Sequence, residues 1–452
     1  MAEISLFMTS PLVDAAPAEI RVTTSISDHA RNDLRTSVHN DLMKRMDLEK
    51  LMAIQADVAG GRQRLLGLIY QFVGEQGIPL SASDRDQVAN EVLDEIFGLG
   101  PLEPLLHDPT VNDILVNNFE KVYVERRGIL ERTGVSFRDN AHLMHIIDKI
   151  VSGVGRRIDE SSPMVDARLL DGSRVNIIIP PLAIDGPSIS IRRFGKSPMT
   201  ADDLLRHGAL IPQMLEMLRC AVRARLNIVI SGGTGAGKTT LLNVLSSYIS
   251  ANERIVTIED SAELQIKQEH VVRLECRPAN LEGRGAIRQR ELVINALRMR
   301  PDRIILGEVR SEEALDMLQA MNTGHDGSIT TVHANNPRDA IARIETMAMM
   351  GSVILPEKAI RAQIASAIDV IVQVSRMSDG SRRITHLSEI TGTSGDILNM
   401  QDIFVFEKEG LGPEGKVKGR FVATGVVPKF AEAVTAAGYP LPLNYMDQSV
   451  EV

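Results

Sequence analysis

The sequence predicts an α/β chain of about three domains centred on a parallel sheet, and three observations carry that expectation. From about Met199 onward, short apolar β-type runs alternate with helix-period segments, the pattern of a parallel sheet covered by helices. Before it lies a block of short β-type runs separated by turn residues and one apolar helix. Before that, apolar residues recur at helical spacing up to the break at Gly98-Leu99-Gly100-Pro101. At 452 residues the chain is too long for one core, and 44% hydrophobic with 24% charged residues is ordinary globular composition.

Residues 1–36 mix Ser, Thr, Pro, Ala and scattered charge without a period and are expected to form a disordered tail. A three-helix bundle is expected over 37–98. Its first helix carries Leu42, Met46, Leu51, Met52, Ile54 and Val58, and Gly60-Gly61 ends it. Leu65, Leu66, Leu68, Ile69 and Phe72 lie on the second; Val88, Val92, Leu93 and Ile96 lie on a third, with Ser83 as its N-cap and Asp84 and Asp86 in its first turn. A small α+β domain follows over 99–195, with β-type runs at 113–116, 122–125, 175–179 and 188–191 and a helix over 143–154. Pro180-Pro181 separates the last two runs, since no central strand tolerates it. Gly195-Lys196-Ser197-Pro198 reads as a linker.

The third domain spans 196–424, with strands expected at 227–230, 254–258, 303–306, 329–332 and 370–374. Residues 425–452 read as a loosely structured C-terminal tail.

Composition excludes several functions. A net charge of −9 and a pI near 5.7 do not suit a protein that coats nucleic acid, and 3% aromatic residues with no Trp leave little to stack on bases. The two cysteines, Cys220 and Cys276, form no CxxC pair and cannot make a four-cysteine zinc module. The first residues lack the basic start and apolar stretch of a signal peptide, and no apolar run reaches the roughly 18 residues that span a bilayer. A cytoplasmic protein without a transmembrane segment is expected, reaching any membrane through a partner.

The strongest local signal is Gly232-Gly233-Thr234-Gly235-Ala236-Gly237-Lys238-Thr239, a complete GxxxxGK[ST] match placed between a β-type run and an apolar-faced helix. Glycines let the loop turn its amide N–H groups around phosphates. Lys238 supplies charge to the β and γ oxygens, and Thr239 offers a hydroxyl to Mg²⁺. Arg303-Ile304-Ile305-Leu306-Gly307-Glu308 is a buried-type strand ending in one acid, where α/β sites lie. Gly307 stands where many such enzymes carry a metal-binding Asp, so Glu308 is expected to serve the attacking water, the metal's hydration shell, or both; the rival reading is a solvated strand-end acid.

Glu259, Asp260 and Glu263 follow another strand and suggest metal or water positioning, with an acidic helix start as the alternative for Glu263. His325 and His333 are eight apart, not the spacing of a helical zinc pair. A role in sensing the γ-phosphate or a neighbouring subunit is expected for them, against a purely structural turn histidine. Arginines are dense between Arg273 and Arg310, but interleaved acids such as Glu275, Glu282 and Glu291 favour salt bridges over a nucleic-acid track.

Together these residues resemble the type II/IV secretion-system ATPase superfamily, and within it the Tad/Flp pilus assembly ATPases, from about Gly98 to Arg383. The P-loop through Thr240, the acidic box at Ile258-Glu259-Asp260, the strand ending Gly307-Glu308-Val309-Arg310 and the histidine box from His325 to His333 carry the resemblance. Gly100 to Leu106, Asp166-Ala167-Arg168 and Asp171 to Arg174 extend it into the preceding domain. The resemblance implies a RecA-like P-loop ATPase domain preceded by a small α+β (PAS-like) domain and the N-terminal three-helix unit. It also implies a homohexameric ring that hydrolyses ATP with Mg²⁺ and acts on an inner-membrane platform protein. Arginines of the α+β domain are implied to face the phosphates, here Arg174, Arg192 or Arg193.

The missing tetracysteine module and the N-terminal helices favour the Tad/Flp branch over other pilus and secretion branches. A type IV secretion, conjugation-like ATPase is the alternative. A nucleic-acid motor and a nucleotide-binding scaffold without turnover are the rivals from other classes; DNA and RNA are not expected as substrates.

Overall fold

The computed structural model describes residues 28–45, 58–78, 80–126, 128–193, 199–279, 284–351, 355–412, 415–441 and 449–451. Residues 1–27, Met46, Leu51, Met52, Ile54 and the expected linker at 195–198 lie outside the described residues.

Three helices come first: α1 Asp28–Arg45, α2 Val58–Glu75 and α3 Ala82–Phe97. They bury Leu34, Val38 and Leu42 against Leu65, Ile69, Phe72, Val88 and Val92. The helix therefore begins before residue 37, inside the stretch expected to be tail. Leu34 continues the row of Val38 and Leu42 one turn upstream, where polar neighbours hide it in the sequence. Gly60 and Gly61 lie within α2 instead of ending a helix. Each costs about 1 kcal/mol in propensity, which burial of Leu65, Ile69 and Val73 outweighs. Ser81, not Ser83, caps α3; its hydroxyl accepts from the Asp84 amide at 3.1 Å.

A one-turn 3-10 helix at Gly100–Leu102 and α4 Glu103–His107 lead into the α+β domain. Its elements are β1 Val111–Asn118, β2 Lys121–Arg126, β3 Ile129–Arg132, α5 Asn140–Gly153, β4 Met164–Arg168, β5 Arg174–Ile178 and β6 Ser188–Arg192. All strand pairs are antiparallel, in the order β3-β2-β1-β6-β5-β4. Ile114, Val116, Val122, Val124, Val175 and Ile177 pack on one face against Leu143, Ile146, Ile147 and Ile150 of α5. Strand periodicity then turns Asp113, Glu125, Arg174 and Arg192 to the other face.

The C-terminal domain begins with α6 Ala201–Arg206 and α7 Pro212–Arg223. Then follow β7 Ile228–Gly232, α8 Lys238–Ser246, β8 Ile255–Glu259, β9 Val271–Glu275, α9 Gln289–Ala296, β10 Arg303–Val309, α10 Glu313–Asn322, β11 Ile329–Val332, α11 Pro337–Met349, α12 Glu357–Ala367 and β12 Val370–Arg376. The six strands β12-β7-β11-β10-β8-β9 are parallel. Alternate strand residues pack outward in opposite directions. Ile228 and Ile230 join the core over α7 and α8, while Val229 joins the core under α10, α11 and α12.

β13 Arg382–Ser394, β14 Ile397–Leu411 and β15 Val417–Ala423 extend the sheet antiparallel from β12. The region expected to be a loose tail contributes α13 Ala431–Ala436, with Phe430 and Val434 buried in the core, and β16 Ser449–Glu451, paired with β15. A three-residue edge strand is held by backbone hydrogen bonds, which leave no side-chain alternation to read. No helix among the described residues is long and apolar enough to cross a membrane.

Candidate active site

A cleft of about 1850 Å³ lies between the polar face of the α+β sheet and the C-terminal edge of the parallel sheet. Its floor is the loop from β7 to α8. Gly235 and Gly237 hold φ of 68° and 99°, the left-handed region that side chains resist. Gly232 answers a different constraint: β7 and β12 run so close that a Cβ there would stand 2.5 Å from the Val374 carbonyl oxygen.

Thr234, Gly235, Ala236, Gly237, Lys238, Thr239 and Thr240 all line the cleft, while Gly232 and Gly233 contribute carbonyls behind it. Lys238 Nζ donates to those two carbonyls, at 3.0 and 3.2 Å. Burial lowers the pKa of this lysine; Arg310, Arg192 and Arg343 add to the effect and Glu308 opposes it. An anion above the loop would meet that ammonium, the amides of the loop and the positive end of the α8 dipole together.

Glu308 lies on β10 at the cleft wall, its carboxylate paired with Arg310 at 2.7 Å; Arg310 reaches Asp260 at 3.0 Å with its other nitrogen. Glu259 is buried. Its Oε2 accepts from the amides of Glu263 (2.6 Å) and Leu264 (2.9 Å), while Oε1 has no partner among the described residues. Burial pushes its pKa up to about 7, over the two amides that favour the charge. A Cβ on Gly307 would stand 3.0 Å from Glu259 Cγ. An Asp at 307 and a buried carboxyl at 259 therefore compete for one space, which explains the glycine physically. Thr331 fixes that corner by donating to the Gly307 carbonyl at 2.7 Å.

The histidines part company. His333 lines the cleft, and burial with the nearby Lys238 charge lowers its pKa. His325 does not line it. It precedes β11, whose start lies beside the start of β7 in parallel register, whereas the P-loop follows the end of β7. The strand itself separates His325 from the loop, so the expected phosphate contact is not available to it.

The α+β domain brings Arg174, Arg192 and Arg193 to the cleft. Arg193 is committed elsewhere: its guanidinium donates to the carbonyls of Asp108 and Val111. Arg174 contacts Glu263 at 3.4 Å and Arg192 contacts Asp113 at 3.5 Å, pairings a phosphate can replace. Two residues escaped the sequence reading. Arg376, at the end of β12, and Arg382, at the start of β13, lie against the P-loop; Arg382 Nε donates to the Gly235 carbonyl at 3.4 Å. Only strand register brings them there; the one local signal, the basic pair Arg382-Arg383 after the Asp379-Gly380 turn, covers Arg382 and not Arg376.

Residues 95–412 match the type II/IV secretion system protein family. The chain belongs to that family. Its members are secretion ATPases, so ATP hydrolysis is the activity at family level. A Mycobacterium tuberculosis relative provisionally named for conjugal transfer is 38% identical over 309 residues, covering 67% of this chain and 87% of the relative. The conjugal transfer protein TrbB of Rhizobium radiobacter is 33% identical over 292 residues, covering 64% of this chain and 86% of its own. Among solved structures, the VirB11 ATPase of the Brucella suis type IV secretion system is 30% identical, with a TM-score of 0.35, 64% of this chain covered and 95% of that one.

Proposed function

We propose that this chain is a homohexameric motor that hydrolyses Mg-ATP in the cleft and drives Tad/Flp pilus assembly. The observation that carries the reading is the convergence of Lys238, Glu308 and Arg192 on one cleft between two domains. The residues suit a nucleotide: the loop glycines sit in left-handed turns, Lys238 is parked on replaceable carbonyls, and Glu259 keeps a buried oxygen unpaired. Thr239 and Glu308 would hold Mg²⁺, with Glu259 and Asp260 beside them; bound there, the ion neutralises charge on the β and γ phosphates. Lys238 binds the phosphates, Glu308 orients and deprotonates water once Arg310 releases it, and Arg174 or Arg192 meets the charge that develops in transfer.

Support for the Tad/Flp branch comes from the three-helix bundle and from a chain with only two cysteines, too few for a tetracysteine module. The motor would work at the cytoplasmic face of the inner membrane, on a platform protein. The second reading, a conjugation-like type IV secretion ATPase, is favoured by the names of the mycobacterial and Rhizobium relatives.

Purified chain should hydrolyse ATP and assemble as six subunits by mass photometry with nucleotide, since a head-to-tail interface closes by rotation. Lys238→Ala should abolish turnover; wild-type rates in that variant sink the site. Turnover stimulated severalfold by single-stranded DNA at about 150 mM salt, where screening acts over roughly 8 Å, would move the reading toward DNA transport.

A further inference from the structure

We propose that Arg376 is a positioning residue for this reaction: it neutralises Glu125 at one end of a charged row across the α+β sheet and so leaves Arg192 held by Asp113 alone, a pairing the phosphates can replace. The inference rests on the ATPase reading above.

The row follows from strand register. Glu125 on β2 lies opposite Asp113 on β1, Asp113 lies opposite Arg192 on β6, and Arg192 lies opposite Arg174 on β5. Directly opposed residues share a face, and here that face lines the cleft. The order of charge is two acids followed by two arginines. Arg174 ends the row on Glu263, at 3.4 Å, on the β8 side of the cleft. Arg376 ends it on the other side, 4.0 Å from the Glu125 carboxylate and donating to the Gly128 carbonyl in the β2–β3 turn.

Arg376 is placed for this by the parallel sheet. β12 pairs with β7 as far as Val374 opposite Gly232, so Arg376 leaves the strand end alongside the P-loop. Its Nη1 stands 3.5 Å from where a Gly235 side chain would begin. One guanidinium therefore stands beside the loop that takes the phosphates while bonded to the sheet that carries Arg192.

The electrostatics give the consequence. Asp113 and Glu125 are like charges on neighbouring strands; Arg192 offsets them from one end, and Arg376, with Arg382 behind it, offsets them from the other. Without Arg376, both carboxylates draw on Arg192. Arg192 is then held by two acids instead of one, and the phosphates draw it out of the sheet less readily.

The test is steady-state ATP turnover and ATP affinity of the purified full chain. Arg376→Ala should lower kcat by roughly tenfold to a hundredfold, the scale of a misplaced catalytic group, with a much smaller change in affinity. Adding Glu125→Gln to that variant should recover most of the lost rate, because Asp113 alone then competes for Arg192. A purely structural loss would not be repaired by removing a second contact. An Arg376→Ala rate equal to wild type, or a double variant as slow as the single one, overturns the proposal. If Arg376→Ala does not fold, Arg376→Gln with and without Glu125→Gln carries the same test, since glutamine keeps a donor for the Gly128 carbonyl. Wild-type chain that neither binds nor hydrolyses ATP would remove the ATPase reading and this inference with it, an outcome distinct from a variant that matches an active wild type.

Discussion

The α+β domain is held on its two sides by joints of opposite character. Toward the three-helix bundle, Lys149 of α5 donates to three carbonyls at the C-terminus of α3, those of Glu95 (3.0 Å), Ile96 (2.9 Å) and Gly98 (2.6 Å). Beside it the buried His142 pairs with Glu95; burial works against that carboxylate, yet His142, Arg35 and His39 hold its pKa below the ordinary value. Toward the parallel-sheet domain, the contacts are single arginines strung around a cleft, half-exposed, such as Arg168 with the Glu275 carboxylate at 3.3 Å and the Ala262 carbonyl at 2.7 Å, and Arg376 with the Gly128 carbonyl. Opening the first joint gives up three charge-assisted bonds from one part-buried ammonium together with a buried pair, whereas opening the second exchanges scattered, half-exposed contacts for water. The contrast predicts that bundle and α+β domain travel as one body and that the chain bends at the cleft.

The largest expected effect lies at the bending joint and concerns rate. Glu308→Gln should bind Mg-ATP nearly normally and lose about 10² to 10⁴ in turnover, the range for a positioned base. Retained turnover would move that role to Glu259. Next comes a pH effect on stability. Glu259 is raised from 4.5 to about 7 by burial, so the folded chain keeps a proton that the unfolded chain releases in that window. Stability should fall as pH rises from about 4.5 to 7 and level off above, by about 3 kcal/mol at most. Glu259→Gln should flatten the slope in denaturant titrations; an unchanged slope refutes the assignment.

At the fixed joint, Lys149→Met should cost about 1–3 kcal/mol through unpaired carbonyls and speed hydrogen exchange in α3. Unaltered protection would show that the bundle is not held there. The smallest effect is expected for Glu275→Gln, which removes only the half-exposed pair with Arg168: under about 1 kcal/mol, and weaker still in high salt. A loss as large as that of Lys149→Met would erase the contrast between the joints.

How much of this was legible in the sequence depended on distance along the chain. The P-loop is local: eight consecutive residues specify the turn, the charge and the start of the helix. Glu308 was readable because a buried strand announces its own end. Arg376 and Arg382 were not, since they reach the loop through pairing of β12 with β7 and β13. His325 misled because nearness in sequence is the wrong measure across a strand. At about 3.3 Å per residue, β11 carries His333 to one edge of the sheet and leaves His325 at the other. The helix start at Asp28 and the strand at Ser449 were hidden for a related reason, as each is stabilised by distant partners in place of its own pattern.

The lysine of the loop is tied to its own backbone. The Gly232 and Gly233 carbonyls accept from Nζ at 3.0 and 3.2 Å, which leaves one of the three N–H donors of an ammonium to face the cleft. A flexible four-carbon stem is thereby given a direction, and the aim of the charge is set by the turn of the chain and not by the side chain itself.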